Sequence, residues 1–476
     1  MWGERNDGEW LVEVGGFVMM DNNGNAARQL AGNVDALTQF VAGGRERALP
    51  PEVLNAARMC LSDWVSVAIG AKDEAAGQVV RSRVKAMRSG GKSVVVFGGT
   101  AAPALAALAN GTLAHCLDFD DTHIGATTHT SAPVWAATLA LVQEHGADEA
   151  LALRAFVTGF EVAARVGRGM GQVITSKGLH ATGVFGRIGA AAASAVVLGL
   201  SAEQAGHALG AAATQASGLT ASFGTMAKPF HAGKAAMDGV LAAELALEGF
   251  VAAPQVLEAH GGLDRAIVQD GSVTMAPVTF GKWEILNNSF KPYAACHLTH
   301  PTIDAARALG VDPNNVKVVH ATVSEIAQQI TGGTDGQPKT PLAAKFDLRY
   351  CTALALFGGT ASAADFAQPW TLAPHIGALA NKVQTHADAS VGYASARLTV
   401  ETDDGRTEEV EIATGKGHPG NPMTWDDMRA KYDSLAPAHL GGASEKVFAL
   451  LQGFGDPSRK GGASLDELRS CLASLA

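Results

Sequence analysis

Between about residues 102 and 249 the chain runs through one apolar segment after another, at roughly 102–118, 132–145, 149–168, 180–199, 202–215 and 231–249. Their apolar residues recur at helical spacing rather than alternating, which makes a succession of buried helices the simplest reading. Hydrophobic residues make up 47% of the chain and aromatics only 6%, so Ala, Val, Leu and Gly must fill the core. Small side chains of that kind favour closely packed helices over a sheet sandwich. Gly183, Gly186 and Gly189 recur every three residues and predict a groove along one helix where another backbone packs closely. Ser201 with Gln204 predicts a capping box between two helices.

Upstream, Val34, Leu37, Phe40 and Val41 are helically spaced, and Pro50-Pro51-Glu52 opens a second helix through Leu54, Ala57, Met59 and Cys60 to Ile69. Residues 1–32 read as a tail. After about Pro277 the texture changes. Val316-Lys-Val-Val-His-Ala-Thr-Val and Ala396-Arg-Leu-Thr-Val400 alternate like strands, and Asp404-Gly405 signals a hairpin. With helices at 300–309 and 341–357, residues 286–417 form a smaller α+β lid. Thr424, and Ser464 with Glu467, then start C-terminal helices that need an apolar partner. The expected fold is mainly α, with a large helical domain (33–285 and 418–476) into which the lid (286–417) is inserted.

A net charge of −10 gives no general attraction for nucleic acid or an anionic membrane, so an anionic ligand needs local cations. The five cysteines form no CxxC pair, which fits a reducing cytoplasm. No signal peptide is read at the start, and the apolar run from Ile188 to Leu200 is shorter than the roughly 20 residues of a membrane span.

The chemistry concentrates in His115-Cys-Leu-Asp118-Phe-Asp120-Asp121-Thr122-His123, continuing to His129 and Pro133, where three carboxylates and three histidines fall within fifteen positions. If the preceding helix runs on, His115, Asp118 and Thr122 share an inward face, and buried ionisable groups must be paired or used. His180 stands at a helix start. Lys228, His231 and Lys234 stand among glycines, a setting that receives carboxylates or phosphates. Lys291, Tyr293, Cys296, His297 and His300 cluster where body and lid meet, a usual place for ligands. Lys345 through Arg349, Tyr350 and Cys351 begins an apolar helix that supplies a phenol. The chain has no GxSxG elbow, Walker A loop or HExxH, its cysteine spacing supplies no iron–sulfur ligand set, and Gly167-Arg-Gly169-Met-Gly171 does not follow a strand. Asp118, Asp121, His123 and His129 could instead bind a divalent metal for hydrolysis, and a non-catalytic binder of anionic metabolites is a further reading.

Taken together, these clusters resemble the MmgE/PrpD family, which includes 2-methylcitrate dehydratases, cis-aconitate decarboxylases and iminodisuccinate epimerases. The resemblance runs from about residue 33 and is carried by Leu49-Pro50 through Asp63-Trp-Val-Ser-Val-Ala-Ile-Gly-Ala, Asn110-Gly-Thr-Leu-Ala-His-Cys-Leu-Asp-Phe-Asp-Asp-Thr-His123, Gly178-Leu-His-Ala-Thr-Gly-Val-Phe-Gly186, Gly224-Thr-Met-Ala-Lys-Pro-Phe-His-Ala-Gly233, Lys291-Pro-Tyr and Ala344-Lys-Phe. It implies a helical body with an α+β lid, a homodimer, and a site between body and lid that uses no cofactor and no metal. The family's site pattern falls on Asp118, Thr122, His129, His180, Lys228, Lys291 and Tyr350, with a lid-side polar position at Cys296 or His297. His129 stands eleven residues after Asp118 where some members have ten, and Asp347 and Arg349 replace residues that are often neutral. The implied substrate is a small di- or tricarboxylic acid, converted by proton transfer beside a carboxylate. Lys228 and Lys291 would hold the developing charge, while His129 would serve as acid and base. Asp118 and Thr122 would orient it or the substrate; His180, His297 and Tyr350 would bind carboxylates or relay a proton. A 2-methylcitrate-dehydratase-like lyase is the expected activity, with iminodisuccinate-type epimerisation and cis-aconitate decarboxylation as alternatives.

Overall fold

Ala181–Leu198 is buried on nearly every side, because its neighbours are close enough to need glycine at the contacts. In the computed structural model, which describes residues 2–4, 10–12, 24–259, 261–367, 374–456 and 464–473, this helix packs against Ser131–His145, Glu149–Gly167, Ala202–Ala213 and Ala227–Leu247. A Cβ on Gly189 would lie 2.7 Å from the Gly159 carbonyl, one on Gly186 2.5 Å from Pro133 Cγ, and one on Gly183 2.5 Å from the Ser217 carbonyl. The three-residue glycine spacing is thus a packing surface for three neighbours. Ala181–Leu198 is also 18 residues long and apolar enough to cross a membrane, but 94% of it is buried inside the protein, as expected of a core helix.

The expected fold class is the one observed. A helical body occupies most of the chain, and a four-stranded sheet lies in its C-terminal part with strand order 407–412, 396–402, 316–323, 383–387. Ala396–Thr402 is antiparallel to both Thr407–Ile412 and Val316–Val323, while Val316–Val323 and Val383–Ala387 run parallel. Gly405, at φ +86°, turns the hairpin between Ala396–Thr402 and Thr407–Ile412. Val316, Val319, Ala321, Val323, Leu398 and Val400 bury one face of this sheet, on which the helices His300–Ala308 and Leu348–Leu356 pack. The Ser201–Gln204 capping box is present, and Thr424 forms another with Asp427 at the start of Trp425–Leu435. That helix and Ser444–Gln452 return to pack on Pro51–Gly70, the apolar partner they need.

Several expectations are corrected. The helix from Pro103 stops at His115, and Asp118 adopts a left-handed backbone with φ +52°, so His115, Asp118 and Thr122 share no helical face. Thr122–His123 instead pairs as a short strand with Asn288–Ser289. A helix begins at Gly24, inside the stretch read as tail. Ala75–Met87 and the hairpin of Ser93–Val95 with Gly99–Ala101 are additional elements. The segment read as one helix from 341 to 357 is two, Pro341–Lys345 and Leu348–Leu356, because the Asp347 side chain caps the second by accepting from Tyr350 N at 3.0 Å.

Candidate active site

Asp118 is the hub. Its Oδ1 lies 2.8 Å from Lys228 Nζ, 3.2 Å from Lys291 Nζ and 3.6 Å from His129 Nε2. Lys228 comes from the first turn of Ala227–Leu247, His129 from the loop before Ser131–His145, and Lys291 from the stretch leading into the α+β region. Burial pushes the Asp118 carboxyl up, but Lys228, Lys291 and His129 outweigh it and hold the group well below the usual range. Burial likewise works against the Lys291 ammonium, and Asp118 and Asp120 raise it. The charges of this centre therefore stabilise one another in a space closed to bulk water.

Asp120 forms the second layer. Its carboxylate lies 2.9 Å from His115 Nδ1 and 3.1 Å from His129 Nδ1, so it braces two imidazoles whose rings are 4.4 Å apart. Against the cost of burial, these histidines hold Asp120 far below its ordinary value. Burial keeps His115 neutral, lowering it to about 4 against the pull of Asp120. His180 stacks 5.6 Å from His115, its Nδ1 3.2 Å from His231 Nδ1, and burial followed by its positive neighbours holds it well below the usual range. Beneath lies a carboxyl pair. Asp121 accepts from Ser131 Oγ and, at 2.6 Å, from Asn288 Nδ2; burial and nearby Asp63 push it up to about 7. Asp63 Oδ1 lies 2.5 Å from Lys431 Nζ.

Of the residues expected at the site, the fold brings Asp118, His129, Lys228, Lys291 and His180 into one cluster. The two candidates for the lid-side position both adjoin it. The Cys296 thiol, pushed up to about 11 chiefly by burial, feels Lys291, Asp118 and Lys228. His297, lowered well below its usual range by burial, feels His300, Lys291 and His129, and its Nε2 lies 3.0 Å from Ser289 Oγ. Two further expected residues carry hydroxyls unpaired among the described residues. The Thr122 hydroxyl is buried with no hydrogen-bond partner among the described residues. Tyr350, pushed up to about 12 by burial, has Cys351, Asp365 and Asp347 as its electrostatic neighbours, packs near Phe366, and likewise has a buried hydroxyl with no hydrogen-bond partner among the described residues.

Asp120 and Lys345 belong to the site without having been assigned a role in it. Asp120 stands two residues after Asp118, and Lys345 stands in Ala344-Lys-Phe, but only folding shows where each side chain goes. Lys345 donates to the Leu117 carbonyl at 2.7 Å, and burial lowers it to about 8. The metal-hydrolase set is not assembled. His123 has Nε2 3.3 Å from Glu284 and Nδ1 accepting from Ala126 N, while Asp121 faces Ser131 and Asn288. Ligand atoms of His115, Asp118, Asp120 and His129 do lie within 4.8 Å of one another. A divalent ion there would sit beside the Lys228 and Lys291 ammoniums, so these residues suit an anion better than a cation.

A helical body with a buried imidazole–carboxylate cluster, met by the ammonium groups of Lys228 and Lys291, can hold a small anion beside an imidazole able to transfer a proton. Comparison with known families agrees. The MmgE/PrpD N-terminal domain matches residues 35–276 and the MmgE/PrpD C-terminal domain residues 293–453, so the chain belongs to the MmgE/PrpD family. It is similar to a cis-aconitate decarboxylase-like protein of Aspergillus oryzae, 29% identical over 85% of this chain and 91% of that one. It is also similar to the cis-aconitate decarboxylases of Aspergillus terreus (27% identical, 82% of this chain and 86% of that one) and Homo sapiens (27%, 71% and 73%). The chain is an enzyme of the lyase type.

Proposed function

We propose that this enzyme decarboxylates a small unsaturated tricarboxylic acid, with cis-aconitate the leading substrate. The observation that carries the reading is the meeting of Lys228, Lys291 and His129 around Asp118. The names of the fungal and mammalian relatives favour decarboxylation over the 2-methylcitrate dehydration expected from sequence.

In this mechanism the two ammonium groups receive substrate carboxylates and the charge that develops beside them. One carbon–carboxylate bond breaks and CO2 leaves. The freed electron pair shifts through the double bond, and the carbon at its far end takes one proton from His129. An imidazole suits that transfer and its own reprotonation. Asp118 pairs with both lysines and sets their positions, and Asp120 with His115 fixes the His129 ring. His180 and His297, neutral by burial, offer hydrogen bonds without competing for charge. The buried hydroxyls of Thr122 and Tyr350, each without a hydrogen-bond partner among the described residues, can receive a substrate oxygen.

The test is incubation with cis-aconitate, citrate, 2-methylcitrate and iminodisuccinate in D2O, followed by NMR. The expected result is CO2 release from cis-aconitate with one deuterium in the product. Loss of water from 2-methylcitrate would put dehydration in its place, and C–H exchange in iminodisuccinate would put epimerisation there. His129→Gln should lower turnover by about a hundredfold or more while leaving the melting temperature in place. Unaltered turnover in that variant removes His129 from the mechanism.

A further inference from the structure

We propose that a clamp of three buried lysines on three successive backbone carbonyls holds the loop that presents Asp118, with Lys345 and Lys431 as positioning residues acting through it. Lys345 Nζ donates to the Leu117 carbonyl at 2.7 Å, Lys291 Nζ to the Asp118 carbonyl at 2.7 Å and Lys431 Nζ to the Phe119 carbonyl at 2.6 Å. Each lysine is at most 9% exposed. They arrive from three distant stretches: Pro341–Lys345, which packs on Leu348–Leu356, the junction at 291, and the C-terminal helix Trp425–Leu435.

A buried ammonium is costly without a counter-charge. Lys291 has Asp118, and Lys431 has Asp63 together with the Phe119 ring at 4.0 Å. Lys345 has no carboxylate within 4.0 Å among the described residues, so ion pairing does not explain its burial. What the three have in common is the strained loop. Asp118 is a non-glycine residue at φ +52°, a conformation that the surrounding structure must impose. Charge-assisted hydrogen bonds to the carbonyls on either side of Asp118, and to its own, supply that constraint. The apolar helix that ends at His115 is thereby prevented from running on through Asp118. The Asp118 carboxylate that gathers Lys228, Lys291 and His129 is consequently in place only when both Pro341–Lys345 and Trp425–Leu435 are seated on the body.

This inference rests on the reading of Asp118 as part of the reacting centre, so its test has one arm that needs no substrate. Lys345→Met keeps the aliphatic stem and strands no carboxylate. Lys431→Met would leave Asp63 buried without its cation, so it is made together with Asp63→Asn. Hydrogen exchange read by mass spectrometry should quicken in the peptide covering 115–122 and stay unchanged in the one covering 181–198. With cis-aconitate as substrate, kcat should fall about tenfold or more while KM moves much less, because a misplaced catalytic group loses rate rather than binding. Lys345→Arg, which can still reach the Leu117 carbonyl, should recover part of the rate. Native exchange in both variants overturns the clamp, and native kcat in Lys345→Met overturns the positioning role. If the wild-type protein turns over none of the four acids, the proposed reaction fails, and the exchange arm alone decides the clamp.

Discussion

Four buried histidines near the site stay neutral in the folded chain, and that sets how it responds to acid. Burial lowers His115 to about 4 and His300 to about 3, and it holds His180 and His297 well below the ordinary value. Unfolded, each binds a proton near pH 6.5; folded, each resists until the pH is far lower. Stability is therefore lost as the pH falls from about 6.5 toward the folded values, because the unfolded chain takes up the protons. Raised carboxyls act in the opposite direction: Asp121 and Glu258, pushed up to about 7 chiefly by burial, hold a proton in the folded state that the unfolded chain does not bind until about pH 4, and burial raises Asp63, Glu161 and Asp347 as well. The two sets of groups oppose each other between about pH 4 and 6.5, so the imidazole share is read by removing one imidazole. Thermal melts between pH 4.5 and 8 read this balance, and substitution isolates the drop in melting temperature below 6.5 that the imidazoles contribute. His300→Gln, which can still donate to the Ala295 carbonyl that His300 Nε2 reaches at 3.1 Å, should make the drop shallower. An identical pH dependence in wild type and His300→Gln would mean that the His300 imidazole is charged or solvated in the folded chain.

At the scale of elements, the site depends on how closely Ala227–Leu247 crosses Pro103–His115. A Cβ on Gly233 would lie 2.2 Å from both the Leu108 carbonyl and Thr112 Oγ1, so the helices touch at backbone distance. Gly233→Ala should cost about 1–3 kcal/mol in chemical denaturation. It should also reduce turnover by more than an equally destabilising change far from the site, since Lys228 lies five residues upstream on the helix that must shift. Equal losses in both would deny the crossing any role in placing Lys228. The helices themselves were legible from apolar spacing, and so were the hairpin at Asp404-Gly405 and the change of texture after Pro277. What spacing does not carry is where a helix ends when distant side chains decide it. The run from Pro103 reads as helix through Asp118, yet it stops at His115, where Lys345, Lys291 and Lys431 take the following carbonyls. Lys228, His129 and Lys291 were recognisable from their clusters and the family likeness. Asp120 and Lys345 were not assigned, because their value lies in contacts made across 5 and 228 residues of chain.

For the whole molecule, one face of the body is left oddly apolar. Leu241 and Leu245, one turn apart on Ala227–Leu247, are 39% and 37% exposed, and Leu247, Phe250 and Val251 continue the patch beyond them. At the other end of the same helix a groove of about 360 Å³ is lined by Val79, Val80, Met87, Leu108, Met226 and Phe230. A monomer that leaves such an apolar stretch uncovered invites association. We propose that this face meets a second copy of the chain, the homodimer that the family resemblance implies. Met226 and Phe230 flank Lys228, so the same contact would steady the helix start that presents a catalytic ammonium. Light scattering at micromolar concentration should give twice the 48.8 kDa chain mass. Because the contact is apolar, raising the salt should not dissociate it. Leu241→Glu with Leu245→Glu should yield a folded monomer with reduced turnover, as two charges would have to be buried against a partner. A wild-type protein of single-chain mass, active at that concentration, would leave the exposed leucines without a partner of this kind and confine the working site to one chain.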